Sequence, residues 1–236
     1  MGAAPLGVLL ALTVPARWRG SLGALAEGIG AAVSAQGAPI VGGDVTDGDR
    51  LALAITVLGH SPRPLSRAGA RAGDTLYVTG ALGGPGSALA AWMSGHVPGA
   101  AARARFAHPE ARIAAGLWLA AHGATAAIDL SDGLAGDVAH IAHASGVRCL
   151  LTLDAVPRMD GVGTREAIVS GEEYELLVAA PAIDVRAFAA AHGGLALTAI
   201  GEVQAPAPGE GADVVAEQGG ARVALPRAHD HFAAAR

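Results

Sequence analysis

Between Ser61 and Asp74 the chain reads SPRPLSRAGARAGD, a stretch of prolines, glycines and arginines with no apolar period. Proline removes a backbone donor and fixes φ, and glycine loosens the chain, so neither a helix interior nor a central strand fits here. Every long apolar run of the sequence therefore falls on one side of this break or the other. The expected organisation is residues 1–62, a linker over 63–74, and residues 75–236.

On the N-terminal side, residues Gly7 to Val14 (GVLLALTV) read as a buried strand. Ala16 to Gln36 has helical character with Gly37 as its stop, APIVGGD is a short strand running into a glycine turn, and RLALAITVLGH is a longer strand. On the C-terminal side, TLYVTG, ATAAIDLS, VRCLLTL, EYELLVAA, ALTAIGEV and the pair around DVVAEQGGARVALP read as strands. Helices are expected from Gly83 to Gly95, over HPEARIAAGLWLAAHG with proline in its first turn, over DGLAGDVAHIAHASG, and from Ala182 to Ala191. Strands and helices intermix throughout, so the expected class is α/β of the mixed α+β kind.

Composition excludes several functions. Charged residues are 16% and the net charge is −5, which argues against a basic nucleic-acid binder, and aromatics at 3% provide no base-stacking platform. The opening apolar run is shorter than the ~20 residues that span a bilayer. Its arginines follow the run instead of preceding it, unlike a secretory signal. No membrane association is expected. Cys149 is the one cysteine, so no intramolecular disulfide can form and a reducing cytoplasm suits the chain. Its apolar setting (CLLTL) marks it as a buried, inert thiol.

Acidic residues gather at three turns. In IVGGDVTDGD the glycines Gly42 and Gly43 let the backbone approach a ligand, and Asp44 beyond them can hold a hard cation. A hairpin turn explains the same residues, and taken alone it is the better account. Asp47 and Asp49 read as surface acids. In IDLSDGLAGD, Asp132 suits either a helix cap or a cation ligand. Asp129 ends a strand at the core's edge, where a carboxylate is costly unless paired or bound to metal. Asp137 reads as a solvent-facing helix residue. In SGEEYELLV, Glu173 reads as a charged turn residue, while Glu172, directly after Gly171, is the candidate for ligand contact. Arg67 and Arg71 lie in the linker, where an arginine can meet phosphate by paired hydrogen bonds. His140 and His143 stand three apart on a helix but lack the partners of a zinc site. No Walker or dinucleotide glycine motif is present.

Taken in order, VGGDVT, LSRAGARAGDTLYVTGALGG, AIDLSDGLAGDVAHIA, SGEEYELLV, IGEV and HDHF resemble the thiamine-monophosphate kinase family of the aminoimidazole-ribonucleotide-synthetase-like superfamily, from Met1 to Phe232. The resemblance implies that superfamily's two-domain architecture and transfer of the ATP γ-phosphate to thiamine monophosphate. By position it makes Asp44, Asp129 and Asp132 ligands of Mg²⁺, and Arg67, Ser131 and Gly43 contacts of ATP. Glu172 and His229 become contacts of thiamine monophosphate. It also implies a cytoplasmic homodimer once the family's preceding segment is present. MGAAPLG resembles the end of the family's NLSDLAAMGA helix, so the first domain is expected to be truncated and to carry part of the metal cluster. The family's GGEDYEL reads SGEEYEL here, and its C-terminal aromatic position is His229. Two alternatives go with those departures: an inactive fragment that at most binds nucleotide or a partner, or another ATP-dependent superfamily enzyme with a different small substrate.

Overall fold

The structure, a computed structural model, describes residues 1–226. His229 therefore lies outside the described residues. The chain divides into two compact units, Gly2–Pro64 and a larger one that takes Met1 and continues from Leu65.

In the smaller unit, β1 (Ala4–Thr13) is central to a three-stranded sheet of order β2-β1-β3. A 3₁₀ turn (Ala16–Ser21) and helix α1 (Leu22–Ala35) carry the chain to β2 (Ile40–Thr46), which pairs parallel with β1. β3 (Ala52–His60) pairs antiparallel on the other side. Three expectations are corrected here. The first strand forms but is not buried along its length, for only Gly7 and Val8 within it are buried. The expected helix starts as a 3₁₀ turn, because Ser21 (φ −101°, ψ 2°) leaves helical geometry before α1 begins. Gly42 and Gly43 do not end a strand. Both lie inside β2, where Gly43 faces Leu10 so closely that a Cβ would overlap the Leu10 carbonyl. Strand pairing explains that glycine.

In the larger unit, seven strands form one sheet of order β10-β9-β6-β8-β4-β7-β5. They are β4 (Thr75–Thr79), β5 (Ala126–Asp129), β6 (Arg148–Thr152), β7 (Leu176–Ala180), β8 (Leu197–Gln204), β9 (Asp213–Gln218) and β10 (Ala221–Val223). All neighbours pair antiparallel except β6 with β9. The helices are α2 (Gly84–Met93), α3 (Ala100–Ala107), α4 (Ile113–Ala121), α5 (Leu134–Ser145), α6 (Thr164–Val169) and α7 (Val185–Ala191).

The period-2 alternation of a strand sends its residues to two different cores. Leu76, Val78, Ile128, Leu177 and Ala179 pack with Leu134, Val138 and Ile141 of α5. Tyr77, Ala127, Leu176, Val178 and Ala180 pack with Leu119 of α4 and Phe188 of α7. β7 is accordingly buried at every position. Cys149 is fully buried in the first core, and burial pushes its thiol up to about 12.

Two helices here were not expected from sequence, α3 and α6. The helix expected over HPEARIAAGLWLAAHG begins only at Ile113, so Pro109 lies outside it and Arg112 takes the N-cap position. The helix expected from Ala182 begins at Val185, where the Asp184 carboxylate accepts from the N–H groups of Arg186 and Ala187, both at 3.0 Å. No helix among the described residues is long and apolar enough to cross a membrane.

Candidate functional site

The site grows from the end of the β5–β7 pairing. Beyond the last ladder residues the two chains stay joined by main-chain bonds: Leu130 N–H to the Glu175 carbonyl (2.8 Å), Tyr174 N–H to the Leu130 carbonyl (2.9 Å) and Glu172 N–H to the Ser131 carbonyl (2.8 Å). The turn after β5 and the turn before β7 are thus held together. Gly171 makes the approach possible, since a Cβ there would sit 2.7 Å from the Ser131 carbonyl oxygen. Among the described residues, Glu172 (φ 58°) and Tyr174 (φ 53°) are the non-glycine positions with left-handed backbone. Each such residue costs on the order of 1–3 kcal/mol and persists only where its surroundings over-determine it.

The two turns open onto a cavity of about 890 Å³. Ser131, Asp132, Glu166, Ser170 and Glu172 supply its polar lining; Leu89, Phe106, Val169 and Tyr174 form its apolar wall. Phe106, on α3, meets Trp92 edge to face at 5.1 Å. The corner is electronegative: burial, then the charges of Glu172 and Asp129, raise the Tyr174 hydroxyl above its ordinary value.

Asp137 is corrected most sharply. It is completely buried, not solvent-facing. Lying in the first turn of α5, it points back so that Oδ2 accepts from Ser131 N–H (3.1 Å) and Asp132 N–H (3.3 Å), while Oδ1 is buried with no hydrogen-bond partner. Burial, assisted by the charges of Asp132 and Asp129 and opposed by those two N–H bonds, raises its carboxyl to about 6. Asp132 is not the cap of α5 either. The N-cap position falls to Gly133 (φ 100°), with no side chain capping. Asp132, Asp137 and the exposed His140 bring one donor atom each within 4.8 Å of one another. Mutually repelling carboxylates and an orphaned buried oxygen form a donor set suited to a hard divalent cation.

Glu173 is buried and not an open turn residue. Its Oε1 accepts from Gly83 N–H (2.6 Å) and the Ser170 hydroxyl (2.5 Å), and Oε2 lies 3.5 Å from Arg105. Burial outweighs these partners and raises its carboxyl above the usual range. Glu175 is also fully buried, but better paired. It accepts from Arg112 Nε (2.8 Å) and Nη2 (2.7 Å), Arg105 Nη1 (2.7 Å) and the Thr79 hydroxyl (2.6 Å). Burial pushes it up, yet the bonds from Arg112 and Thr79 prevail and hold it below the usual range.

The cavity brings together Ser131, Asp132 and Glu172, three of the residues singled out in the sequence. Asp129 is half-buried at the end of β5, beside them. Arg67 is exposed and does not line the cavity, its carbonyl accepting from the Ser145 hydroxyl at the end of α5 (2.9 Å). Asp44 and Gly43 belong to the smaller unit, where Asp44 is exposed on β2 and its Oδ1 accepts from Val45 N–H. Sequence reasoning missed Phe106, Arg105, Arg112 and Glu175. Only the acid doublet and the alternation in EEYEL hinted at the last of these.

Residues 1–61 match the family described as AIR synthase related protein, N-terminal domain, and residues 71–212 match AIR synthase related protein, C-terminal domain. Thiamine-monophosphate kinase from Salmonella typhimurium is 35% identical over 226 residues, which cover 89% of this chain and 69% of the relative. The crystal structure of thiamine-monophosphate kinase from Stenotrophomonas maltophilia K279a is 32% identical with a TM-score of 0.81, covering 91% of this chain and 73% of that one. A structure described as AaThiL complexed with AMPPCP and TMP has the same TM-score at 26% identity, covering 98% and 75%. The chain spans 60% to 69% of the length of the first four curated relatives it matches.

Proposed function

The chain belongs to the thiamine-monophosphate kinase family of the AIR synthase related proteins, and from that membership we propose that it transfers the γ-phosphate of ATP to thiamine monophosphate. One observation carries the reading. The Asp129–Gly133 turn and the Gly171–Tyr174 turn, tied by the Glu172 to Ser131 bond of 2.8 Å, converge on a single cavity with both acidic and apolar walls. Phosphoryl transfer asks a protein mainly for positioning and charge cancellation; the tied turns support the first, and acids able to hold a cation support the second.

In this reading Asp129 and Asp132 are the residues that would hold Mg²⁺. Bound there, the cation would cancel charge between the two phosphates that must meet. Asp137 keeps the main chain of Ser131 and Asp132 in place through its two accepted N–H bonds. Ser131 and Arg67 contact ATP. Glu172 and His229 contact thiamine monophosphate, and Leu89, Phe106, Val169 and Tyr174 give its rings an apolar wall that excludes water. A cationic ring suits that wall, because the acids beside it leave the corner negative. A cytoplasmic setting, supported by a single buried cysteine, and a second copy of the chain complete the proposal.

The test is a coupled assay of ADP release. Release should require both thiamine monophosphate and Mg²⁺. Release that ignores thiamine monophosphate, or no release in its presence, would overturn the assignment.

A further inference from the structure

We propose that Arg105 is a positioning residue of this cavity: it holds the Glu172–Tyr174 turn in the shape that presents Glu172 and Tyr174 to the substrate. The inference rests on the reading of the cavity as the thiamine monophosphate site. Side chains alternate along the turn, with Glu172 and Tyr174 lining the cavity and Glu173 and Glu175 buried behind them. Both lining residues have left-handed backbone, so something must hold it there.

The N–H groups of Glu172 and Tyr174 are held from the β5 side by the carbonyls of Ser131 and Leu130. From the other side, Arg105 Nη2 donates to the Glu173 carbonyl at 3.2 Å. That carbonyl belongs to the peptide plane joining Glu173 to Tyr174. Its direction is coupled to the φ of Tyr174, because a planar peptide rotates as one body about its two flanking bonds. Releasing the carbonyl leaves that plane pinned at its N–H end alone, by the bond to Leu130, and loosens the left-handed conformation of Tyr174. The same guanidinium places Nη1 2.7 Å from Glu175 Oε1, so it grips the chain on both sides of Tyr174. Arg112 provides a contrast. It binds Glu175 through Nε and Nη2, but none of its hydrogen bonds reaches the main chain of the turn. Lysine cannot replace Arg105 fully, since a point charge does not reproduce a planar fork spanning separate acceptors.

The experiment compares wild type, Arg105→Lys and Arg112→Lys by hydrogen exchange at the Glu172 and Tyr174 amides and by calorimetric titration with thiamine monophosphate. Arg105→Lys should speed exchange at those two amides about tenfold or more while the amides of β4 and β7 keep their protection. Its affinity for thiamine monophosphate should fall about tenfold, with that for a non-hydrolysable ATP analogue moving less than about twofold. Arg112→Lys should lower the melting temperature without loosening the turn. The proposal is overturned if Arg105→Lys keeps wild-type exchange at the two amides, or if Arg112→Lys loosens them equally. Should Arg105→Lys fail to fold, Arg105→Gln takes its place in the same comparison. If neither folds, the proposal also fails, because Arg105 then carries the whole unit and not the turn. Wild type that does not bind thiamine monophosphate would sink the substrate reading, while the exchange result still decides the role of Arg105.

Discussion

Strands β3 and β7 are both apolar runs, LALAITVLGH and ELLVAAP in the sequence, and their surroundings are opposite. Every residue of β3 is exposed, whereas every residue of β7 is buried. β7 has a hydrogen-bonded neighbour on each edge and an apolar layer on each face, while among the described residues β3 pairs with β1 alone. One ion pair from each unit shows the same contrast. Arg19 and Asp47, in the smaller unit, meet at 3.1 Å with side chains 64% and 71% exposed, but Glu175 meets two arginines with none of its side chain exposed. An apolar run specifies a strand. What covers the strand is decided by residues far away in the chain.

The largest effect should come from the buried pair. Glu175→Ala leaves Arg105 and Arg112 without their shared partner and should cost about 3–5 kcal/mol, whereas Asp47→Ala should cost under about 1 kcal/mol. Urea denaturation of the two variants reads the contrast directly, and equal losses would break it. Next in size, Leu177→Ala should cost about 3 kcal/mol, because a fully buried leucine leaves a cavity. The acids come next. Asp132→Asn should lower ADP release roughly a hundredfold, since a cation at such a site supplies several kcal/mol. The melting temperature, read on the same sample, separates loss of the cation from loss of the fold.

A smaller effect concerns pH. Because Glu175 is held below its ordinary value of 4.5, its contribution is fully present above that pH and fades as the pH falls through its folded value. Glu173 is raised, so its sign is reversed: the folded state favours its protonated form, and its cost grows as the pH rises past 4.5. Stability measured as the pH is lowered from 7 should therefore fall less steeply on the acid side in Glu175→Gln and gain on the neutral side in Glu173→Gln. Smallest of all, Val57→Thr on the 65% exposed valine of β3 should shift stability by less than about 0.5 kcal/mol.

The strands were legible because each couples an apolar run to glycine, proline or acidic punctuation. The helices of the larger unit were less so. AAARARFA (Ala100–Ala107) has no apolar stripe and no side-chain cap, so nothing local marks α3, and TREAIV is too short for a period to show. Within the site, Ser131, Asp132 and Glu172 were legible as small or acidic residues at turns. Asp137 was misplaced because its position one helical turn beyond Gly133 is usually wet, whereas here the helix start folds it back against its own turn. The Arg105–Glu175 and Arg112–Glu175 contacts join residues 70 and 63 positions apart, and no local pattern carries such information.

The buried thiol has a practical use. With its proton held up to about 12 and no exposed surface, Cys149 should ignore thiol-reactive dyes at neutral pH while the larger unit is closed. As the one cysteine of the chain, it would make labelling a clock for opening of the unit that holds the site, with no engineered probe. A second cysteine introduced on the exposed β3 would label at once, so one gel lane could time the two regions separately.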